Sequence, residues 1–323
     1  MDNATRAFLL INDKDLFNKW DEGRSYAMSL LQDMVIKGIR ADPTFIAAMR
    51  AIAANNSLDP AFRALILTLP SEEAIAQAMF NEGKTPDPDA IYSARATLNR
   101  AMATEMADYL PFLYASLKTE SPYTPNAVTA GKRALRAVAL SLLSLLEHNC
   151  ETARVQFATA DNMTEQFGAL STLITNGQGA DAITTFYEQW KHDRLVIDKW
   201  FTVQVSNAIP TTAIDVAIKL TKHKDFEWKN PNRFRSLIAG FAMMNPAGFH
   251  EKNGRGYAFF ADWLIKLDPV NPQTTARMCG GFETWRRYDA HRQKEMRKEL
   301  TRIANAPNLS KDTSEITGKI LGG

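Results

Sequence analysis

NPNRFRSLIAGFAMMNPAGFHEKNGRGYAFFADWLIKLDPVNPQTTARMCGGFETWRRYD, residues Asn230 to Asp289, carries three Asn-Pro pairs and two arginines set among small neighbours. Asn230-Pro231, Asn245-Pro246 and Asn271-Pro272 each put an N-cap side chain just before a proline. Proline's fixed φ and missing N–H suit the first helical position, so each pair predicts a helix start. In the first of these helices Phe234, Leu237, Ile238 and Phe241 recur at i, i+3, i+4, i+7, a stripe that must be buried against a neighbour. Arg235 lies off the stripe and shares a face with Ala239 and Ala242. In the third helix Arg277 shares a face with Gln273 at i−4 and Gly281 at i+4. A long cation over small side chains has room to reach into a cavity, and two such faces would make a polar wall for a carboxylate or peptide carbonyls. The plainer reading pairs Arg235 and Arg277 with Asp262, Glu283 or other carboxylates on a solvated face.

The 323 residues can bury a large core, and Lys+Arg 38 against Asp+Glu 36 leaves a formal net charge of only +2. No global field then recruits nucleic acid or an anionic membrane. The two cysteines, Cys150 and Cys279, stand far apart and form no Cys-x-x-Cys, which points to a reducing cytosol. The opening MDNATRAFLLINDKD has an early acid and no apolar core of signal-peptide length. The most apolar run, Ala134 to Leu146, contains Arg136 and is too short to span a bilayer. A soluble, cytoplasmic protein is expected.

Outward from the quoted stretch the same grammar repeats. After a short lead, Asp21 is expected to cap a helix carrying Tyr26, Leu30, Met34 and Val35. Asp42-Pro43 starts the next, and Asp59-Pro60 opens one with Phe62, Leu65 and Ile66 that stops at Leu69-Pro70. Ser71 with Glu72 and Glu73 caps a further helix. Residues 83–88 form a loop, a long helix follows from Asp89, and Pro111 kinks or divides it. Val128, Leu135, Leu142 and Leu146 mark another long helix, with shorter ones near 150–159 and 162–175. Almost nothing alternates with period two, so no sheet is expected. Helix after helix with short connections implies an all-α fold, an α-solenoid of stacked antiparallel pairs of armadillo or HEAT type. Residues 1–14 read as a lead-in from a preceding domain and 15–323 as one solenoid domain, with a possible subdivision near 121–125.

Catalytic chemistry is hard to find. The five histidines, His148, His192, His223, His250 and His291, include no helical zinc signature. His250-Glu251 begins one, then fails at Lys252-Asn253-Gly254, so His250 is expected to be structural or solvated. There is no phosphate loop, dinucleotide fingerprint or nucleophile elbow. Asp87 and Asp89 read as turn and cap residues, and Cys279 beside Gly280-Gly281 as a packed thiol. The basic segment Arg286, Arg287, Arg292, Lys294, Arg297, Lys298 and Arg302 raises nucleic-acid binding. Its interleaved Asp289, Glu295 and Glu299 point instead to a solvated helix laced with ion pairs.

Several blocks in order resemble the C-terminal helical domain of bacterial aminopeptidase N, the alanyl aminopeptidases of the gluzincin metallopeptidases. They are DLFNKWDEGRS from Asp15, LDPAFRALILTLPS from Leu58, DNMTEQFGALS from Asp161, LVIDKWFTVQ from Leu195, NPNRFRSLIAGFAMMNPAGFH from Asn230, NPQTTARM from Asn271, RRYDAHRQKEMRKEL from Arg286 and LSKDTSEITGKIL from Leu309. The resemblance implies a solenoid that folds over a zinc catalytic domain of the same polypeptide and closes a chamber around its active site. The parent would cleave N-terminal residues from short peptides. The zinc, its His-Glu-x-x-His helix and the loop holding the substrate's amino terminus would lie upstream, leaving this chain no catalysis and no metal of its own. Gln273 and Arg277 match the family's chamber-facing glutamine and arginine, and Arg235 a second chamber arginine, implying contact with the substrate backbone beyond the cleaved bond. Gly280-Gly281 departs from the expected helix and would displace Arg277. Two alternatives stand beside this reading. One is a free-standing helical adaptor without an apolar docking face, the other a nucleic-acid-binding solenoid.

Overall fold

Helix caps written into the sequence build the molecule, and the computed structural model describes residues 1–119 and 123–322. Among the described residues all regular structure is helical and no strand occurs. The chain clusters into two compact units, one of Met1–Ala78 with Ala90–Ala182, the other of Met79–Asp89 with Ile183–Gly323. The subdivision anticipated near 121–125 overlaps residues 120–122, which lie outside the described residues. No helix among the described residues is long and apolar enough to cross a membrane.

The first unit corrects one expectation and adds detail to another. Within residues 1–14, read as a lead-in, Asn3–Asn12 is a helix capped by Asp2, which buries Ala7 and Leu10 against Leu16–Lys37 and Pro43–Ala54. Lys19 holds its end, Nζ donating to the Leu10 carbonyl at 3.1 Å and to that of Ile11. Gly23 allows this approach, since a Cβ there would stand 2.9 Å from Leu10 Cδ1. The next helix starts at Asp15, whose carboxylate accepts from Asn18 N–H, while Asp21 is an exposed mid-helix residue. Elsewhere the reading holds. Asp42 and Asp59 cap helices with proline in the first turn, Ser71 accepts from Ala74 N–H, and Pro111 sits in the first turn of Leu110–Ser116, which is separated from Pro88–Glu105. Ala127–Leu146 packs on Pro60–Leu67 and Leu110–Ser116, with Leu135 and Leu142 buried but Val128 exposed.

In the second unit all three Asn-Pro pairs start helices. Asn230, Asn245 and Asn271 each accept a backbone N–H from the first turn through the side chain. Phe234, Leu237, Ile238 and Phe241 are each 0% exposed, as the stripe required. They pack with Arg194–Ser206, while Arg255–Leu267 packs on Ala290–Ala304 and Pro272–Met278 on Lys311–Gly322. Phe249 is the hub of the core, its ring edge-on to Phe241, Tyr257 and Phe260 at centroid distances of 5.8, 5.2 and 5.6 Å. Burying each such ring contributes about 1.5–3 kcal/mol, and edge-to-face geometry adds to it.

Candidate functional site

The faces that carry Arg235, Gln273 and Arg277 all belong to the second unit. The helix opened by Asn230 is not uniform. Pro231–Phe234 is α-helical, Arg235–Ala239 forms a π turn, and Gly240–Met244 returns to α. The Gly240 N–H bonds to the Arg235 carbonyl, one residue further back than in an α-helix. Two turns through this segment therefore take about eight residues instead of about seven. Arg235 thus lines up with Met243 and not, as the spacing suggested, with Ala242. Burial agrees, because Ala242 is 6% exposed and Met243 42%.

The two neighbouring arginines of this helix have opposite fates. Arg233 is buried, donating from Nε to Asp198 Oδ1 at 2.5 Å and further to the Asp225 and Arg194 carbonyls, over the Phe201 ring. Arg235 is half-buried and donates only to its neighbour Asn232 Oδ1. Among the described residues the carboxylate pairing weighed from sequence is absent at Arg235, and Asp262 is taken by Arg302 at 2.7 Å.

On Pro272–Met278 both Gln273 and Arg277 are exposed, one turn apart on the same face. Among the described residues neither side chain makes a hydrogen bond or ion pair, and none joins either to Arg235. The α-helix persists through Arg277 and ends at Met278, with Cys279–Phe282 continuing as a 3-10 turn. Gly281 thereby leaves the i+4 relation expected with Arg277. Its lack of a side chain is structural, for a Cβ there would stand 2.7 Å from Phe260 Cε1, while Gly280 faces open space. Cys279 is fully buried and burial pushes its thiol up to about 12, which fits a packed and unreactive residue.

The basic segment is less solvated than its composition suggested. Arg292 is 1% exposed, with Nη2 on Asp89 Oδ2 and Nη1 on Asp289 Oδ2 at 2.7 Å each and Nε on the His250 carbonyl. Asp87 stands 3.6 Å away. Asp89 lies in the first turn of Pro88–Glu105 and not at its cap, its own N–H donating to Asp87 Oδ1, and it accepts from a partner that sequence spacing could not reveal. Arg287 is also buried, Arg286 donates to the Ile320 and Leu321 carbonyls, and Arg302 pairs with Glu299 and Asp262. His250 is buried beside this cluster, its Nδ1 2.9 Å from Tyr257 OH. Burial, and then the charges of Arg287 and Arg292, hold its imidazole neutral well below the usual range.

A cleft of about 970 Å³ in the first unit is lined by Tyr114, Arg136, Gln156 and Glu165. These side chains largely satisfy one another. Arg136 bonds Glu165 and Tyr114 OH, Tyr114 OH donates to Gln156 Oε1, and Gln156 Nε2 donates to the Glu165 carbonyl. By contrast the Gln273–Arg277 face holds its donors unengaged.

Comparisons place this architecture. A family model described as "Domain of unknown function (DUF3458_C) ARM repeats" matches residues 3–322. Aminopeptidase N of Caulobacter vibrioides is 37% identical, over 99% of this chain and 37% of that protein. Aminopeptidase N of Escherichia coli is 34% identical, over 97% of this chain and 36% of that protein. The crystal structure of Legionella pneumophila aminopeptidase A in complex with aspartic acid matches with a TM-score of 0.88 and 28% identity, covering 100% of this chain and 39% of that one. The chain thus spans little more than a third of the length of these relatives. It belongs to the DUF3458_C ARM-repeat family, and its likeness to the C-terminal helical domain of bacterial aminopeptidase N runs along its whole length.

Proposed function

We propose that this chain is the C-terminal accessory domain of a cytoplasmic zinc aminopeptidase N, covering the catalytic domain of the same polypeptide and forming part of its substrate chamber. Gln273, Arg277 and Arg235 are the chamber wall, and they hydrogen-bond the backbone of short peptides beyond the cleaved bond. The observation that carries this reading is the pair Gln273 and Arg277, exposed on one face with no partner among the described residues, while Arg233 and Arg292 of the same unit are fully engaged. A guanidinium left free is available for a charge-assisted, bidentate contact with a carboxylate or carbonyl.

Catalysis and zinc are assigned to the upstream part of the parent. Among the described residues no group of three His, Cys, Asp or Glu side chains is placed to hold a metal ion. The wall binds and orients, and with the remainder of the parent it restricts access to short peptides. Exposed apolar side chains on the first two helices support a domain that packs on another part of its polypeptide over a free-standing adaptor. Phe8 and Phe17 are 63% and 67% exposed, beside Leu16 and Met1, which are also exposed.

The test is the coding sequence immediately upstream of Met1. An open frame running into a His-Glu-x-x-His helix with a downstream glutamate is expected. A stop codon followed by a ribosome-binding site would overturn the reading in favour of an independent protein.

A further inference from the structure

The cleft of about 970 Å³ in the first unit combines an engaged floor with an unengaged rim. On the floor Arg136 is 8% exposed and holds Glu165 and Tyr114 OH, yet its Nε has no hydrogen-bond partner among the described residues. A buried N–H without a partner carries a desolvation cost that nothing in this chain offsets. The rim adds Lys118, just past the end of Leu110–Ser116, with Glu151 at the start of Glu151–Thr159 and Asp161 just past its end. All three are exposed, and among the described residues none of them forms an ion pair. Charges of both signs thus line one cavity without neutralising each other. That pattern selects the occupant. A phosphate group or a nucleic acid would be repelled by Glu151 and Asp161, and a polycation by Lys118 and Arg136, whereas a zwitterion meets complementary charge at both ends. The volume suits a peptide of a few residues better than a free amino acid, and Val155, 53% exposed in the same lining, offers it an apolar contact.

We propose that this cleft binds a short peptide with both termini free, its ammonium group at Glu151 and Asp161 and its carboxylate at Lys118 and the idle Nε of Arg136. The carboxylate accepts charge-assisted hydrogen bonds from the lysine ammonium and from the guanidinium edge that Glu165 leaves open. No bond is made or broken, and the site only holds and releases its ligand. It lies within the first unit, whereas Gln273, Arg277 and Arg235 belong to the second, so it does not rest on the chamber reading.

Titration calorimetry of the complete protein tests it, with a metal chelator present to stop any zinc-dependent hydrolysis. The probes are tetra-alanine, its C-terminal amide and its N-acetyl form. The unaltered protein should bind tetra-alanine about tenfold more tightly than either blocked peptide, one charged contact being lost with each terminus. Lys118→Met should reduce the preference over the amide to about twofold, and Glu151→Gln should likewise narrow the preference over the N-acetyl form. Both residues are exposed, so neither variant should shift the melting temperature. An unaltered protein that binds the amide as tightly as the free peptide, or binds neither, overturns the site without recourse to any variant. A tenfold preference that survives intact in Lys118→Met overturns it too, because the carboxylate is then held elsewhere in the molecule.

Discussion

Two arginines of the second unit make opposite use of the same side chain. Arg292 is 1% exposed and tied to Asp89, Asp289 and the His250 carbonyl, whereas Arg277 is exposed and engages nothing among the described residues. A buried cation loses its water, and only the carboxylates and carbonyls around it offset that cost, so it is fixed where those partners converge. A solvated cation without partners contributes almost nothing to folding, and its position is free to be set by what it binds. Arg292 is thus part of the frame, and Arg277 part of the surface that the frame presents.

The sharpest way to break that contrast is to remove each arginine in turn. Arg292→Ala should cost about 1.5–3 kcal/mol in chemical denaturation, because the His250 carbonyl, Asp89 and Asp289 lose the charged donor they converge on. Arg277→Ala should stay within about 0.5 kcal/mol. Equal losses would erase the distinction between frame and surface.

The two glycines after Arg277 sharpen it further. Gly281→Ala brings a Cβ to 2.7 Å from Phe260 and should destabilise by about 1–3 kcal/mol through overpacking. Gly280→Ala meets nothing within 4 Å and should gain about 0.5 kcal/mol by restricting the unfolded chain. Matching losses at both positions in urea titrations would show that the turn, and not its contact with Phe260, sets the constraint.

A pH dependence follows from the frame as well. His250 is buried and neutral, so its folded value lies below its ordinary 6.5. Below that ordinary value the unfolded chain binds a proton that the folded one refuses. Stability is fully present above pH 6.5 and lost as pH falls beneath it. The slope is at most about 1.4 kcal/mol per pH unit. Denaturation midpoints between about pH 7 and about pH 5 should fall for the parent and flatten in His250→Asn. Identical slopes would remove His250 from the acid response.

What could be read beforehand follows a physical line. Caps and apolar stripes are local, so Asn230-Pro231, Asn245-Pro246 and Asn271-Pro272 and the stripe from Phe234 to Phe241 were legible directly. Asp15 and Asp21 are equally good caps by type, and only the packing of the first helix decides for Asp15. The burial of Arg292 was hidden because Asp89 lies 203 positions away. The alignment of Arg235 with Met243 was hidden too, since an inserted residue in one turn leaves no mark on composition. The faces of Gln273 and Arg277 were visible as spacing, and their lack of partners only as structure.

The most direct measurement is kcat/KM of the complete enzyme carrying Arg277→Ala, on alanyl-alanyl-leucine and on alanine amide. If the wall binds substrate beyond the cleaved bond, the peptide value should fall about tenfold further than the amide value. Equal loss on the two substrates would contradict the account, placing Arg277 outside the chamber's peptide contacts.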